Sequence, residues 1–410
     1  MNTLKRRALL KTRMHLFLLV ISLPLLCISS PLLAQQFSEL DRFIGRQDSI
    51  LVTGSQSQIL YSRHPEKKLI PASILKIFTS LVALHFLGND YRFPTDFYLD
   101  GQSNLKIKGY GDPLLISEVV TKITQVLAVL LKNSQPINDL VLDDSYFKQP
   151  LTIPGVNSTS QPYDAPNGAL CVNFNTVNFV HTSEGYVSAE PQTPLLPYVL
   201  EKIKASKLNQ GRIVFSHNKN EITIYAGELF QYFLEKQGIH FKGKVKLGTI
   251  NNRTDKLIFR YQSVSSLDQI IAKLLEHSNN FMTNQLLIAA GAHAIGPPGT
   301  LAKGVALASA FAKDELGIEN ITLAEGSGIS RNNRVSALQM DRVLQKFLPY
   351  RHLMRRQGRE LFKTGTLYGI NTRAGYIETA NGEFCRYVIL LNTPGKYTDP
   401  IIFRLLRILD

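Results

Sequence analysis

Ser73 and Ser278 stand 205 positions apart, yet the motifs they open make chemical sense only if the fold brings both into one cleft. Three short motifs run in order along the chain: Ser73-Ile74-Leu75-Lys76, Ser278-Asn279-Asn280 and Lys363-Thr364-Gly365. A serine hydroxyl is a poor nucleophile near neutral pH and needs a base beside it. A lysine three residues later on a helix lies on the same face and is close enough to take the proton. It can do so only as a neutral amine, a state that burial and a second nearby cation both favour. Lys363 supplies that cation and a seat for a substrate carboxylate.

Context separates these motifs from their copies. Ser-x-x-Lys recurs at Ser103/Lys106, Ser145/Lys148 and Ser216/Lys219, whereas Lys-Thr-Gly occurs once. Only Ser73 opens a periodic helix, with Pro71 at its start and Ile74, Ile77, Phe78, Leu81 and Val82 on one apolar face. Ser278 falls between two apolar-periodic stretches, one carrying Ile270, Ile271, Leu274 and Leu275, the other Phe281, Leu286, Leu287 and Ala290. That pattern predicts a helix-to-helix turn able to aim two side chains into a cleft. Lys363, between Leu361-Phe362 and Thr366-Leu367, reads as strand. His277 beside Ser278 reads as a cap or surface residue.

Residues 1–34 read as a leader, here called a signal peptide: Lys5, Arg6, Arg7, Lys11 and Arg13 precede the apolar run Leu16 to Leu26, and Ala34-Gln35 is the expected cut. The expected location is therefore the periplasm. The leader carries five of the 46 basic residues and no acids, which leaves about +9 of the formal +14 on the remainder. A basic exported surface suits anionic envelope polymers or lipid head groups and so a peripheral envelope association. No compact basic-aromatic cluster points to nucleic acid. Cys171 and Cys385 sit in separate apolar, strand-like runs and read as two buried thiols. Neither has a ligand partner at metal spacing, so no metal or cofactor is expected.

Some 375 residues after the leader exceed what one core usually organises. From about Phe97 to Tyr261 the pattern changes to short β-branched and aromatic runs broken by Pro, Asn and Gly. Leu105 to Ile107, Gly168 to Phe174, Tyr186 to Ala189, Gly211 to Phe215 and Glu221 to Tyr225 read as strands, with helices near Ile116 to Leu131 and Tyr198 to Ala205. The expected organisation is a discontinuous catalytic domain, residues 35–96 and 262–410, interrupted by a mostly β insertion over 97–261. A hairpin (Ile50 to Thr53, Ile59 to Ser62) opens the catalytic domain. The Lys363 strand, a second hairpin turning at Asn381-Gly382 and a helix near Ile401 to Leu409 close it. Strands from both chain ends with helices between them predict an antiparallel sheet with packed helices, an α+β architecture.

The motif trio is the signature of penicillin-binding proteins and class A β-lactamases. From Phe37 onward the chain resembles the penicillin-binding protein 4 type of low-molecular-mass class C penicillin-binding proteins, the D-alanyl-D-alanine carboxypeptidase/endopeptidases. The resemblance extends to Pro71-Ala72, Gly109-Tyr110-Gly111-Asp112-Pro113, Asp143-Asp144-Ser145-Tyr146-Phe147, Asn173-Phe174-Asn175, Gly326-Ser327-Gly328-Ile329-Ser330-Arg331 and Ala374-Gly375-Tyr376. It implies a β-lactamase/transpeptidase-like catalytic domain, peptidoglycan stem peptides as substrate and β-lactams as covalent inhibitors. Ser73, Lys76 and Ser278 would then be catalytic, and Asn280, Lys363, Thr364, Gly365 and Thr366 would bind substrate. Backbone N–H groups of Ser73 and Thr366 would form the oxyanion hole. Two departures stand out: only Tyr350 to Phe362 separates Leu348-Pro349 from Lys363, a shorter stretch than in the family, and Glu325 stands where the family commonly has aspartate.

Two other functions compete. A β-lactamase would need a deacylating glutamate, and the nearest candidate, Glu315, lacks a Glu-x-x-x-Asn partner. A catalytically weak wall-binding homologue is the other; the short segment before Lys363 is its sole support.

Overall fold

The computed structural model describes residues 31–134 and 136–410. Of the expected leader, residues 1–30 lie outside the described residues. In chain order the elements are α1 (Pro31–Ser38), β1 (Asp48–Thr53), β2 (Ile59–Arg63), α2 (Leu75–Leu87), β3 (Pro94–Leu99), β4 (Leu105–Gly109), α3 (Ser117–Leu131), β5 (Leu140–Asp143), β6 (Thr176–Thr182), β7 (Gly185–Ser188), α4 (Pro197–Ser206) and β8 (Gln210–Val214). They continue with α5 (Lys219–Lys236), β9 (Val245–Leu247), β10 (Lys256–Gln262), α6 (Leu267–His277), α7 (Asn280–Ile295), α8 (Leu301–Leu316), α9 (Ala337–Phe347), β11 (Arg355–Gln357), β12 (Glu360–Leu367), β13 (Ile370–Glu378), β14 (Phe384–Leu391) and α10 (Asp399–Ile408).

Both ends of the chain meet in one antiparallel sheet, ordered β11-β12-β13-β14-β1-β2. Every residue of β1 is buried. Because side chains alternate across a strand, that pattern requires a cover on each face. Leu51 joins one core with α2, α7 and α9, while Ile50 and Val52 join another with Ile401 and Leu405 of α10. The α+β expectation holds. Helix α2 sits deeper than its one-sided periodicity predicted: Leu75 to Leu84 are all buried, since helices and sheet surround it.

The segment expected to be mostly β is mixed instead. It contributes a five-stranded sheet, β10-β3-β4-β5-β9, whose β4–β5 and β5–β9 pairs are parallel. Parallel neighbours need a crossover, and α3 provides it between β4 and β5. A smaller antiparallel sheet runs β7-β6-β8. Glu221 to Tyr225, read as strand, lies in α5. There Asn218 caps the helix by accepting from the Asn220 amide, and Ile222, Tyr225, Ala226, Leu229, Phe230 and Phe233 form a helical face packed with α3 residues such as Val120 and Leu127. That face overrides the strand propensity of Ile-Thr-Ile-Tyr.

Gly168 to Phe174 is also not a strand. The run is an irregular, largely buried passage, and at its end Asn173, Phe174 and the following Asn175 are successively left-handed. The Asn381-Gly382 hairpin is longer than a two-residue turn: the Thr379 amide donates to Glu383 O at 2.9 Å, and Gly382 takes φ +79°. Cys171 and Cys385 are separate buried thiols, as expected.

Candidate active site

The chain enters α2 through Pro71 and a 3-10 turn, Ala72–Ile74. Ala72 has φ +47°, a left-handed conformation that alanine adopts only under strain, on the order of 1–3 kcal/mol. Three neighbours hold it there. The Thr372 hydroxyl donates to Pro71 O at 2.7 Å. Gly328, itself at φ +83°, lies so close that a Cβ would fall 1.9 Å from Ala72 O. Gly365 of β12 lies so close that a Cβ would fall 2.6 Å from the Ser73 nitrogen. Both glycines are therefore steric requirements of the turn that presents Ser73.

Lys76 is wholly buried one turn into the helix. Its Nζ lies 3.0 Å from Ser73 Oγ, 2.7 Å from Asn280 Oδ1 and 2.7 Å from Ser327 O. Burial pushes its pKa well below the usual lysine range, the Lys363 charge pushes it further, and Glu325 opposes the shift. Lys363 is buried on β12, donates to Thr364 O at 2.7 Å and has its pKa lowered by burial to about 8. Strand alternation sets Lys363 and Gly365 on the buried face of β12 and leaves Thr364 and Thr366 exposed.

Ser278 ends α6 in a left-handed conformation, φ +53°, and Asn279 caps α7 by accepting from the Met282 amide at 2.9 Å. The expected helix-to-helix turn is thus present, and it carries Asn280 to Lys76. Among the described residues no hydrogen bond joins the Ser278 hydroxyl to Ser73, Lys76 or Lys363; it stands half-exposed at the rim. The structure therefore gathers Ser73, Lys76, Asn280, Lys363 and Gly365 tightly, with Ser278, Thr364 and Thr366 at the margin. His277 is solvent-exposed, and Glu315 pairs with Lys346 on the α8–α9 surface. The short Tyr350 to Phe362 segment forms a 3-10 turn, the edge strand β11 and the start of β12.

Sequence reasoning marked Glu325 only as a departure from the family's aspartate and gave it no role, yet it organises this cluster from below. Glu325 is fully buried. One oxygen accepts from the Ser327 amide and hydroxyl, both at 2.6 Å, and from Asn284 Nδ2 at 3.0 Å. The other accepts from the Gly328 amide and Asn333 Nδ2, both at 2.7 Å. The carboxylate thereby fixes the two features the site needs from this loop, the Ser327 carbonyl on Lys76 and Gly328 against Ala72. An acidic residue just before Gly-Ser-Gly was the available signal.

Beyond the Ser278–Asn280 corner opens a cavity of about 840 Å³, lined by Leu114, Ile116, Phe174, Phe281, Met282 and Lys273 among others.

This fold and arrangement belong to a class of serine peptidases. Residues 33–224 and 205–353 match the D-Ala-D-Ala carboxypeptidase 3 (S13) family, and the chain is a member of it. It is 25% identical to the D-alanyl-D-alanine carboxypeptidase DacB of Haemophilus influenzae, over 82% of this chain and 83% of that protein. It is also 25% identical to a D-alanyl-D-alanine carboxypeptidase of Actinomadura sp. (strain R39), over 70% of this chain and 62% of that one. In fold it matches the crystal structure of Haemophilus influenzae penicillin-binding protein 4, with a TM-score of 0.72 and 21% identity over 90% of this chain and 98% of that one. A second structure of that protein, complexed with a β-lactam, matches at a TM-score of 0.68 and 19% identity over the same shares.

Proposed function

We propose that the chain is an exported serine D,D-peptidase that removes the terminal D-alanine of peptidoglycan stem peptides through an acyl-enzyme on Ser73. The observation that carries this is the environment of Lys76. A neutral amine has two N–H donors and one lone pair. Asn280 Oδ1 and Ser327 O take the two donors, which leaves the lone pair facing the Ser73 hydroxyl. Ser73 then attacks the D-Ala-D-Ala carbonyl as its proton passes to Lys76. The backbone N–H groups of Ser73 and Thr366 receive the oxyanion, at on the order of 3 kcal/mol per donor. Lys363, Thr364 and Thr366 hold the terminal carboxylate, Asn280 holds the substrate amide, and Ser278 with Lys363 returns the proton to the leaving amine. Water then releases the acyl group. The same attack on a β-lactam ring gives a covalent adduct, in keeping with the β-lactam held by the Haemophilus influenzae relative.

The reading also takes residues 97–261 as an insertion that walls the cleft, and the basic leader as an export signal. The β-lactamase alternative loses ground because Glu315 stands on the exposed α8–α9 surface beside Lys346 and is not among the partners of Ser73 and Lys76. Incubating the protein with a peptide ending in D-Ala-D-Ala and, separately, with nitrocefin distinguishes the two. D-alanine release with many turnovers is expected, while nitrocefin should acylate once and turn over slowly; the reverse pattern refutes the proposal.

The pH profile gives a second check. Lys76 must be neutral, so kcat/KM rises as pH rises through its lowered pKa. Lys363 must be charged to hold a carboxylate, so kcat/KM falls as pH rises through about 8. A bell-shaped profile is expected, and Lys363→Ala should raise KM and remove the basic limb. A basic limb that persists in Lys363→Ala assigns it elsewhere.

A further inference from the structure

The cavity beside Asn280 is a built feature of the chain. Its wall includes Phe174, at φ +58° and ψ +23°, flanked by Asn173 at φ +50° and Asn175 at φ +54°. Asparagine tolerates the left-handed region, but a bulky aromatic there is a genuine outlier and costs free energy. The surroundings enforce it. Asn173 Oδ1 accepts from the Ser117 amide and its Nδ2 donates to the Ser117 hydroxyl, both at 2.9 Å. Asn175 Nδ2 donates to Pro166 O at 2.8 Å and lies 3.0 Å from Cys171 Sγ. The outcome is a half-buried Phe174 ring meeting Phe281 edge-on at 6.2 Å, directly after Asn280 in the chain. Strain of this kind collects where a side chain must be aimed.

Position decides what the cavity serves. No β12 residue lines it; Leu114, Ile116, Phe174, Phe281 and Met282 give an apolar wall, and the exposed Lys273 stands at the rim. Arg212 also lines it, already engaged by Glu190, and Glu276 neighbours His277. Among the described residues no ion pair engages Lys273. With the terminal carboxylate on β12, the carbonyl at Ser73 and the substrate amide held by Asn280, as proposed above, the other arm leaves on the Asn280 side, and Asn280 itself lines this cavity.

We infer that this cavity is a subsite for the acyl-side arm of the stem peptide, taking an aliphatic stretch against Phe174 and Ile116 and a carboxylate at Lys273. The inference rests on the D,D-peptidase reading above. It makes Phe174 and Lys273 specificity determinants rather than catalytic residues.

Three peptides ending in D-Ala-D-Ala test it: a diacetyl-lysyl one with no further arm, one extended by L-alanyl-γ-D-glutamate, and the same extension with the glutamate α-carboxylate amidated. Wild type should prefer the extended acid over the short peptide by roughly tenfold in kcat/KM, and over its amide by a few-fold. Lys273→Ala should erase the acid-over-amide preference alone, and Phe174→Ala the advantage of the extended arm. Both variants should keep the wild-type rate of acylation by penicillin, which reports an intact centre. Equal rates for all three peptides in a wild type that acylates normally overturn the subsite. A wild type that neither acylates nor releases D-alanine overturns the D,D-peptidase reading instead. A Phe174→Ala that no longer acylates assigns Phe174 to the fold, and the proposal then stands or falls on Lys273→Ala.

Discussion

Replacing Lys76 by alanine is expected to slow covalent labelling of Ser73 by a fluorescent penicillin by roughly 10³-fold near neutral pH, the range of a general base lost. Ser73→Ala should remove the label altogether. The lysine does three things at once in this geometry: it faces the Ser73 hydroxyl, ties down Asn280 and anchors on the Ser327 carbonyl. On the proposed role, truncation loses the base and loosens Asn280, so the rate should fall more than substrate affinity does. Time courses of labelling, read by gel and by intact mass, measure it. A Lys76→Ala protein that acylates within tenfold of wild type would exclude Lys76 as the base. A label surviving in Ser73→Ala would exclude Ser73.

What could be read from the sequence followed from periodicity and from contiguous motifs. Ser73 and Lys76 share a helix, and Lys363 to Thr366 share a strand, so spacing alone places each group. The turn at Ser278 was legible because two amphipathic helices flank it. The α5 helix was not, since Ile222-Thr223-Ile224-Tyr225 has strand propensity and its helical face emerges only when Leu229, Phe230 and Phe233 are packed. Equally hidden was the left-handed run at Asn173-Phe174-Asn175: local sequence favours extended backbone there, and long-range bonds to Ser117 and Pro166 decide otherwise. Ala72 is a case of the same kind, its positive φ set by Thr372, Gly328 and Gly365 from far along the chain. The short segment before Lys363 was visible as a length, but its use as an edge strand was not.

Glu325 shows most clearly how a residue can be visible in a sequence while its role is not, and its replacement should have the second large effect. Its two oxygens receive donors only. Glutamine keeps the shape but turns an NH₂ toward other N–H groups, so buried donors lose their acceptor at about 1–3 kcal/mol each. Glu325→Gln is expected to cost about 3 kcal/mol of stability by denaturant titration and to slow penicillin acylation by roughly 100-fold, because the Ser327 carbonyl no longer fixes Lys76. Aspartate keeps both acceptors on a shorter stem and should cost less than about tenfold in rate. The pH profile separates this role from a general loss of structure. The Glu325 charge favours the Lys76 ammonium and so raises its pKa; removing that charge lowers the pKa further. The acid limb of the acylation profile should therefore move to lower pH in Glu325→Gln and stay near wild type in Glu325→Asp. An acid limb that stays in place, with acylation as fast as wild type, would reduce Glu325 to a support of the loop alone.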